Sequence, residues 1–371
     1  MIYIVVKIGK ELEYYLEGVH LSRKKFIKSF VLALIYKSKV QFTELAKVLN
    51  DEVSEASNLR RIQRFFADYV LDYKRIGFLL MNFVSQRKLK LSLDRTNWQF
   101  AGENFNILAL TVCYEGTGIP ICFEMLDKKG ISNQSERIDL LSQFIEWFGA
   151  KRIGLLLADR EFIGEDWLNY LSKEGIDFCI RVKNNTLIEI NEVTHSAQDL
   201  LKRYAKKTFE GVGVMKQSVH VSLKRLPLLK GKKEDHLVLI TNVNVDKALD
   251  LYRKRWTIEV FFQSLKGRGF DLEQSHLQDA QRMKKLFALS CIAFVICLMV
   301  GKIQHENVKE IPTYNHLYKQ NSFFRVGKDF LEKAIRLFHL QPQLIELVFR
   351  PIRKKLTNIQ YAFNLHKSFV T

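Results

Sequence analysis

The run RIGLLLAD, which ends at Asp159, is apolar at consecutive rather than alternate positions. Such a short continuous run is typical of a strand buried on both faces, as in sheets covered by helices. A second strand shows a different pattern. Leu89, Leu91 and Leu93 alternate with Lys90, Ser92 and Asp94, so the period is two and Asp94 faces away from the leucines. Between these strands, FNILALTVCY and GIPICFEML flank residues 115–117 as a hairpin, and residues 135–148 have helical spacing. After Asp159, EDWLNYLSKEG reads as a helix closed by Gly175, and IDFCIRV as a fifth strand. The order is therefore three strands, helix, strand, helix, strand.

Three antiparallel strands followed by βα units make the ribonuclease-H-like arrangement, in which the acids of the first and fourth strands lie side by side. That adjacency turns Asp94 and Asp159 into one site. The fold class expected is α/β: a ribonuclease-H-like catalytic core with an inserted β-rich subdomain, flanked by helical N- and C-terminal regions. Residues 1–87 form a helical DNA-binding region, 88–183 the first part of the core, 184–247 the insert, 248–285 the helix that completes the core, and 286–371 a helical C-terminal region. Basic pairs and short β-like pieces such as SVHVSLKRL set the insert apart. Residues 286–300, LFALSCIAFVICLMV, are the most apolar stretch, but they fall short of the ~18–20 residues a spanning helix needs, so a core helix is expected. The first residues lack the pattern of a signal peptide.

A formal net charge of +18 points to a polyanionic partner. The charge is uneven: residues 91–180 are net acidic and hold both aspartates, whereas the blocks on either side are net basic. An acidic centre in basic surroundings suits a metal-dependent nuclease, because Lys and Arg neutralise phosphates while carboxylates retain cations. The basic blocks can equally be solvated faces. Within the helical pattern of residues 21–84, Ser54 or Ser57 can cap a helix that carries Arg60, Arg61 and Arg64 beside Phe65 and Phe66. It resembles the basic second helix of a helix-turn-helix pair, which would contact DNA. Five cysteines without a CxxC pair suit buried thiols in a reducing cytoplasm, and no Cys/His cluster suggests zinc.

A third acid lies in YRKRWTIEVFFQSLKGRGF. On one continuous helix, Tyr252, Arg255, Glu259 and Lys266 share about 60° of arc. Taken alone, that stripe can be a solvated face with an Arg255–Glu259 pair at i, i+4. The spacing, however, resembles the Y-(2)-R-(3)-E-(6)-K signature of the bacterial insertion-sequence transposases of family four. These are DDE enzymes that include the transposases of composite transposons five and ten. LSLDRTNW around Asp94 and LLLADREF around Asp159 are similar to the first two acidic motifs of that family, and the resemblance covers roughly residues 88–270.

The resemblance implies a DNA transposase that binds the terminal inverted repeats of its element and moves it by cut and paste, through cleavage, a DNA hairpin and strand transfer. Asp94, Asp159 and Glu259 would be the catalytic carboxylates and would hold two Mg²⁺ ions, with Mn²⁺ able to substitute. Tyr252, Arg255 and Lys266 would contact phosphates of the transposon end, and Arg160 is a further candidate contact beside Asp159. The hairpin step calls for an aromatic side chain to hold a flipped base, and in the insert Tyr204 or Phe209 could serve. The partners implied are double-stranded DNA, as transposon ends and target, and a second copy of the chain in the synaptic complex, with the basic C-terminal tail as a candidate dimer surface. No membrane or small-molecule substrate is implied, and the location expected is the bacterial cytoplasm, at the nucleoid. The alternatives are a ribonuclease-H-like nuclease or resolvase, and a domesticated, non-cutting DNA-binding protein.

Overall fold

The computed structural model describes residues 18–226, 236–315 and 319–340. Among the described residues, four helices precede the sheet: α1 (Leu21–Lys37), α2 (Phe42–Ala46), α3 (Glu55–Asp68) and α4 (Tyr73–Met81). Strand β1 (Leu89–Phe100) then pairs antiparallel with β2 (Glu103–Tyr114), and β2 with β3 (Thr117–Met125). The connections Ala101–Gly102 and Glu115–Gly116 have positive φ at both residues, the geometry that matches a two-residue turn to the twist of its strands. Helix α5 (Gln134–Phe148) starts with a capping box between Asn133 and Glu136. Strand β4 (Ile153–Ala158) lies parallel to β1, and after α6 (Glu165–Lys173) strand β5 (Phe178–Arg181) lies parallel to β4. The spatial order β3-β2-β1-β4-β5 is the ribonuclease-H-like order.

Leu89, Leu91 and Leu93 are buried, and so are Leu155 to Ala158 of β4, as alternation and continuous hydrophobicity respectively require. Strand β1 does not end at Asp94. It continues to Phe100, paired only with β2, because the parallel ladder to β4 stops at Leu93–Ala158.

The inserted segment extends this same sheet. It consists of β6 (Leu187–Ile190), β7 (Val193–Ser196), α7 (Ala197–Arg203), β8 (Lys206–Val214), β9 (Gln217–Arg225) and β10 (His236–Thr241). Strand β10 pairs antiparallel with β5, giving ten strands in the order β3-β2-β1-β4-β5-β10-β9-β8-β6-β7. The edge of β5 is thereby covered rather than left open to another chain.

Four helices follow or close the chain's described part: α8 (Ala248–Arg253), α9 (Thr257–Leu265), α10 (Ala280–Asn307) and α11 (Phe323–Leu340). The chain divides into two compact units, Val84–Phe262 and Met1–Phe83 with Gln263–Thr371. In the helical unit, α10 is long and apolar enough to cross a membrane, yet 83% of its most apolar window is buried within the protein, as in a core helix. Lys285 is buried on it, and its ammonium donates to the Phe66 carbonyl near the end of α3 at 2.7 Å. Ser54 is the residue that caps α3, accepting from Ser57 N. Buried Asn58 donates to Ala46 O and Asn50 O, holding short α2 and the turn after it against α3. The first seventeen residues and the basic tail 341–371, with its candidate dimer surface, lie outside the described residues.

Candidate active site

The two aspartates occupy equivalent places. The β1–β4 ladder ends at Leu93 and Ala158, so Asp94 and Asp159 are the first residues beyond it, where a parallel pair opens a crevice. Each carboxylate accepts from the backbone N–H of the next residue, Asp94 from Arg95 at 2.8 Å and Asp159 from Arg160 at 2.7 Å. The third acid arrives on the segment that follows the insert. Helix α8 packs on the sheet through Ala248 and Tyr252 against Leu155, Leu157, Cys179 and Leu239. That packing points the Tyr252 hydroxyl to Asp159, to which it donates at 3.1 Å.

The segment is not the single helix that an arc over Tyr252–Lys266 assumes. Residues 254–256 form a 3₁₀ turn between α8 and α9. Strand side chains contact this turn: Ser92 Oγ donates to the Arg255 carbonyl at 3.1 Å, and Cys113 Sγ to the Lys254 carbonyl at 3.4 Å. Side chains of β1 and β2 thus engage carbonyls that a continuous helix would use for itself. Pinned this way, Arg255 is buried and spans two acids, with Nη2 2.6 Å from Glu259 Oε1 and Nη1 3.4 Å from Asp94 Oδ2. Asp94, Asp159, Glu259, Tyr252 and Arg255 therefore form one connected group.

Residues 85–296, well over half of the chain, match the transposase DDE domain family. The chain belongs to this family. A similar solved structure is the cryo-EM structure of the piggyBac transposase synaptic complex with hairpin DNA, at a TM-score of 0.44 and 10% identity over 91% of this chain and 79% of that one. No curated protein matches the chain.

DDE transposases generally work with divalent metal ions, and the donor set here suits them. Burial pushes the Asp94 carboxyl up to about 7; the Arg95 N–H and Arg255 pull it down, while Glu161 and Glu259 push it further up. A hard dication among these oxygens would relieve the same penalty. Among the described residues, no three His, Cys, Asp or Glu side chains are gathered closely enough to hold an ion. Arg255 stands between Asp94 and Glu259 instead. Neighbouring carboxylates repel, and the guanidinium is the cation the chain itself supplies. Burial also raises the Tyr252 hydroxyl, opposed by Arg255 and reinforced by Asp159.

The remaining predicted residues of this transposase-domain chain lie in both units. Lys266 follows the end of α9 and belongs to the helical unit, where its ammonium pairs with Glu273 at 2.7 Å. Arg160 is exposed next to Asp159. On α3, Arg60 and Arg64 are exposed, while Arg61 lies over the Phe26 ring at 5.7 Å. Tyr204 and Phe209 meet edge to face in the insert at 6.0 Å. Trp256, next to Arg255 but outside the acidic motif, is 57% exposed and carries the Arg255 guanidinium over its ring at 5.8 Å.

Proposed function

We propose that this chain is a Mg²⁺-dependent cut-and-paste transposase of the insertion-sequence family four type, acting on the terminal inverted repeats of its own element. The observation that carries the reading is Arg255 joined at once to Asp94 and Glu259, beside a Tyr252 that caps Asp159. Three motifs far apart in sequence thereby meet at the end of the parallel strand pair. Asp94, Asp159 and Glu259 are the residues that would hold two Mg²⁺ ions, or Mn²⁺ in their place. When bound, such ions supply an activated water or 3′-hydroxyl and stabilise the leaving oxygen of an in-line displacement.

Arg255 gives its planar fork to a DNA phosphate when the carboxylates turn to cations, and its buried Nε, without a partner among the described residues, adds a further donor. Tyr252 donates to a phosphate near the cleaved end once Asp159 is otherwise engaged. Lys266 and Arg160 add phosphate contacts, and Arg60, Arg61 and Arg64 face the repeat. For the hairpin intermediate, the exposed Trp256 ring, with the Arg255 guanidinium over it, offers a stacking surface besides Tyr204 or Phe209. Two copies of the chain act on paired ends, in the cytoplasm.

The test uses a duplex carrying the inverted repeats that border the coding sequence. Asp94→Ala, Asp159→Ala and Glu259→Ala are each expected to abolish Mg²⁺-dependent cleavage and to leave binding of the duplex intact. Cleavage surviving in any one of them removes that residue from the site. A wild-type protein that binds the repeats in Mg²⁺ without cutting them would establish the non-cutting reading instead.

A further inference from the structure

Beyond the parallel ladder, no backbone pairing holds the two acid-bearing segments together, because the register stops at Leu93 and Ala158. A side-chain rung takes its place. Arg95 Nε donates to Glu161 Oε1 at 2.8 Å, linking the residue after Asp94 to the residue two beyond Asp159. The pair is mostly enclosed, with side chains 16% and 23% exposed, and Arg95 Nη1 also donates to Asn97 Oδ1 at 3.3 Å. We infer that Arg95 and Glu161 are a positioning pair that sets the separation and orientation of Asp94 and Asp159. The inference rests on the transposase reading of that site.

The far side of the Asp159 turn is held as firmly. Phe162 is fully buried, and its N–H donates to Asp159 O at 2.9 Å. The Arg137 guanidinium lies over the Phe162 ring at 5.3 Å, donates to the Ile163 carbonyl at 3.2 Å, and is anchored on the hydroxyl and carbonyl of Ser132. One arginine thus clamps the turn toward α5, and the other clamps it toward β1. Orientation follows from this clamping, because each carboxylate accepts from the backbone N–H of the next residue, Arg95 or Arg160. If the turn shifts, those N–H groups swing and the carboxylates rotate with them. Misplacement of reacting groups by about 1 Å can cost ~10²-fold in rate. Among ion pairs a mostly enclosed one with a fixed geometry is the kind that can impose such a constraint, whereas a fully solvated pair is not.

The experiment is a double-mutant cycle of Arg95→Met, Glu161→Leu and the double variant, with Arg95→Lys and Glu161→Asp as conservative partners in case the truncations fold poorly. Two readouts are taken. Hydrogen exchange of the amides of residues 159–163 in the DNA-free protein is expected to accelerate ~10-fold in either truncation and no further in the double variant. Single-turnover cleavage of the repeat duplex is expected to fall ~10- to 100-fold, with duplex binding within about twofold of wild type and partial recovery in the conservative variants.

Additive effects, or exchange at wild-type rates, overturn the pairing. Duplex binding that falls in step with cleavage overturns the positioning role and makes Arg95 a DNA contact. Coupled exchange in a wild-type protein that cuts no duplex overturns the transposase reading and the catalytic part of the inference, while the pairing itself stands.

Discussion

At the ends of β1 and β4, the decisive contacts are polar and join residues far apart in the chain: Ser92 to Arg255, Tyr252 to Asp159, Arg95 to Glu161. The crossing of α10 and α11 is built the other way. There Gly301 and Gly327 let two helix backbones touch, and a Cβ on Gly301 would overlap the Phe323 carbonyl while one on Gly327 would overlap that of Cys297. The first region depends on groups that are present and correctly paired, the second on atoms that are missing. The proposed function draws on the first kind, because a paired polar group can exchange its partner for a phosphate or a cation, whereas a close-packed crossing has nothing to exchange.

The largest effect that can break this contrast is Arg255→Ala. It leaves Asp94 and Glu259 without their shared cation and removes the donor proposed for phosphate, so cleavage of the repeat duplex is expected to drop ~10²- to 10³-fold. Arg255→Lys should recover little, since an ammonium lacks the fork that reaches two carboxylates. Full recovery by lysine would show that charge rather than geometry matters there. Next comes Gly327→Ala, expected to destabilise the helical unit by about 3 kcal/mol, as overpacking of a tight contact does. Urea unfolding checks it, and wild-type stability would show that the crossing tolerates an added methyl. The smallest effect is Ser92→Ala, which removes the hydroxyl that engages the Arg255 carbonyl and should cost about 1 kcal/mol. In the same variant, cleavage should fall more than stability does, because the 3₁₀ turn is free to relax toward a regular helix and carry Arg255 off its two acids. Equal losses in both would make Ser92 a packing residue only.

Much of the core was legible because its signals are local. The leucine alternation placed Asp94 on the face of β1 opposite the leucines, and the unbroken apolar run placed Asp159 at the end of β4. The hairpin at residues 115–117 and the helix stop at Gly175 also follow from nearest-neighbour chemistry. The stripe of Tyr252, Arg255 and Glu259 was legible as a set of residues, but not as a geometry. An ideal 100° per residue carries no knowledge of Ser92 and Cys113, which lie more than a hundred residues upstream and bind the carbonyls of 255 and 254.

The amino-acid sequence by itself determined which faces of the strands are buried, where the two aspartates sit along them, and which polar residues travel with Glu259. Those are consequences of period and of side-chain chemistry within a few residues. Only the tertiary structure decided that Arg255 stands between Asp94 and Glu259, that Tyr252 caps Asp159, that Glu161 is tied to Arg95, and that the insert lengthens the sheet. Each of these depends on which of several competing partners a polar group meets when distant segments close together. That competition is resolved by the packing of α8 and the ladder of the sheet, and no local pattern encodes it.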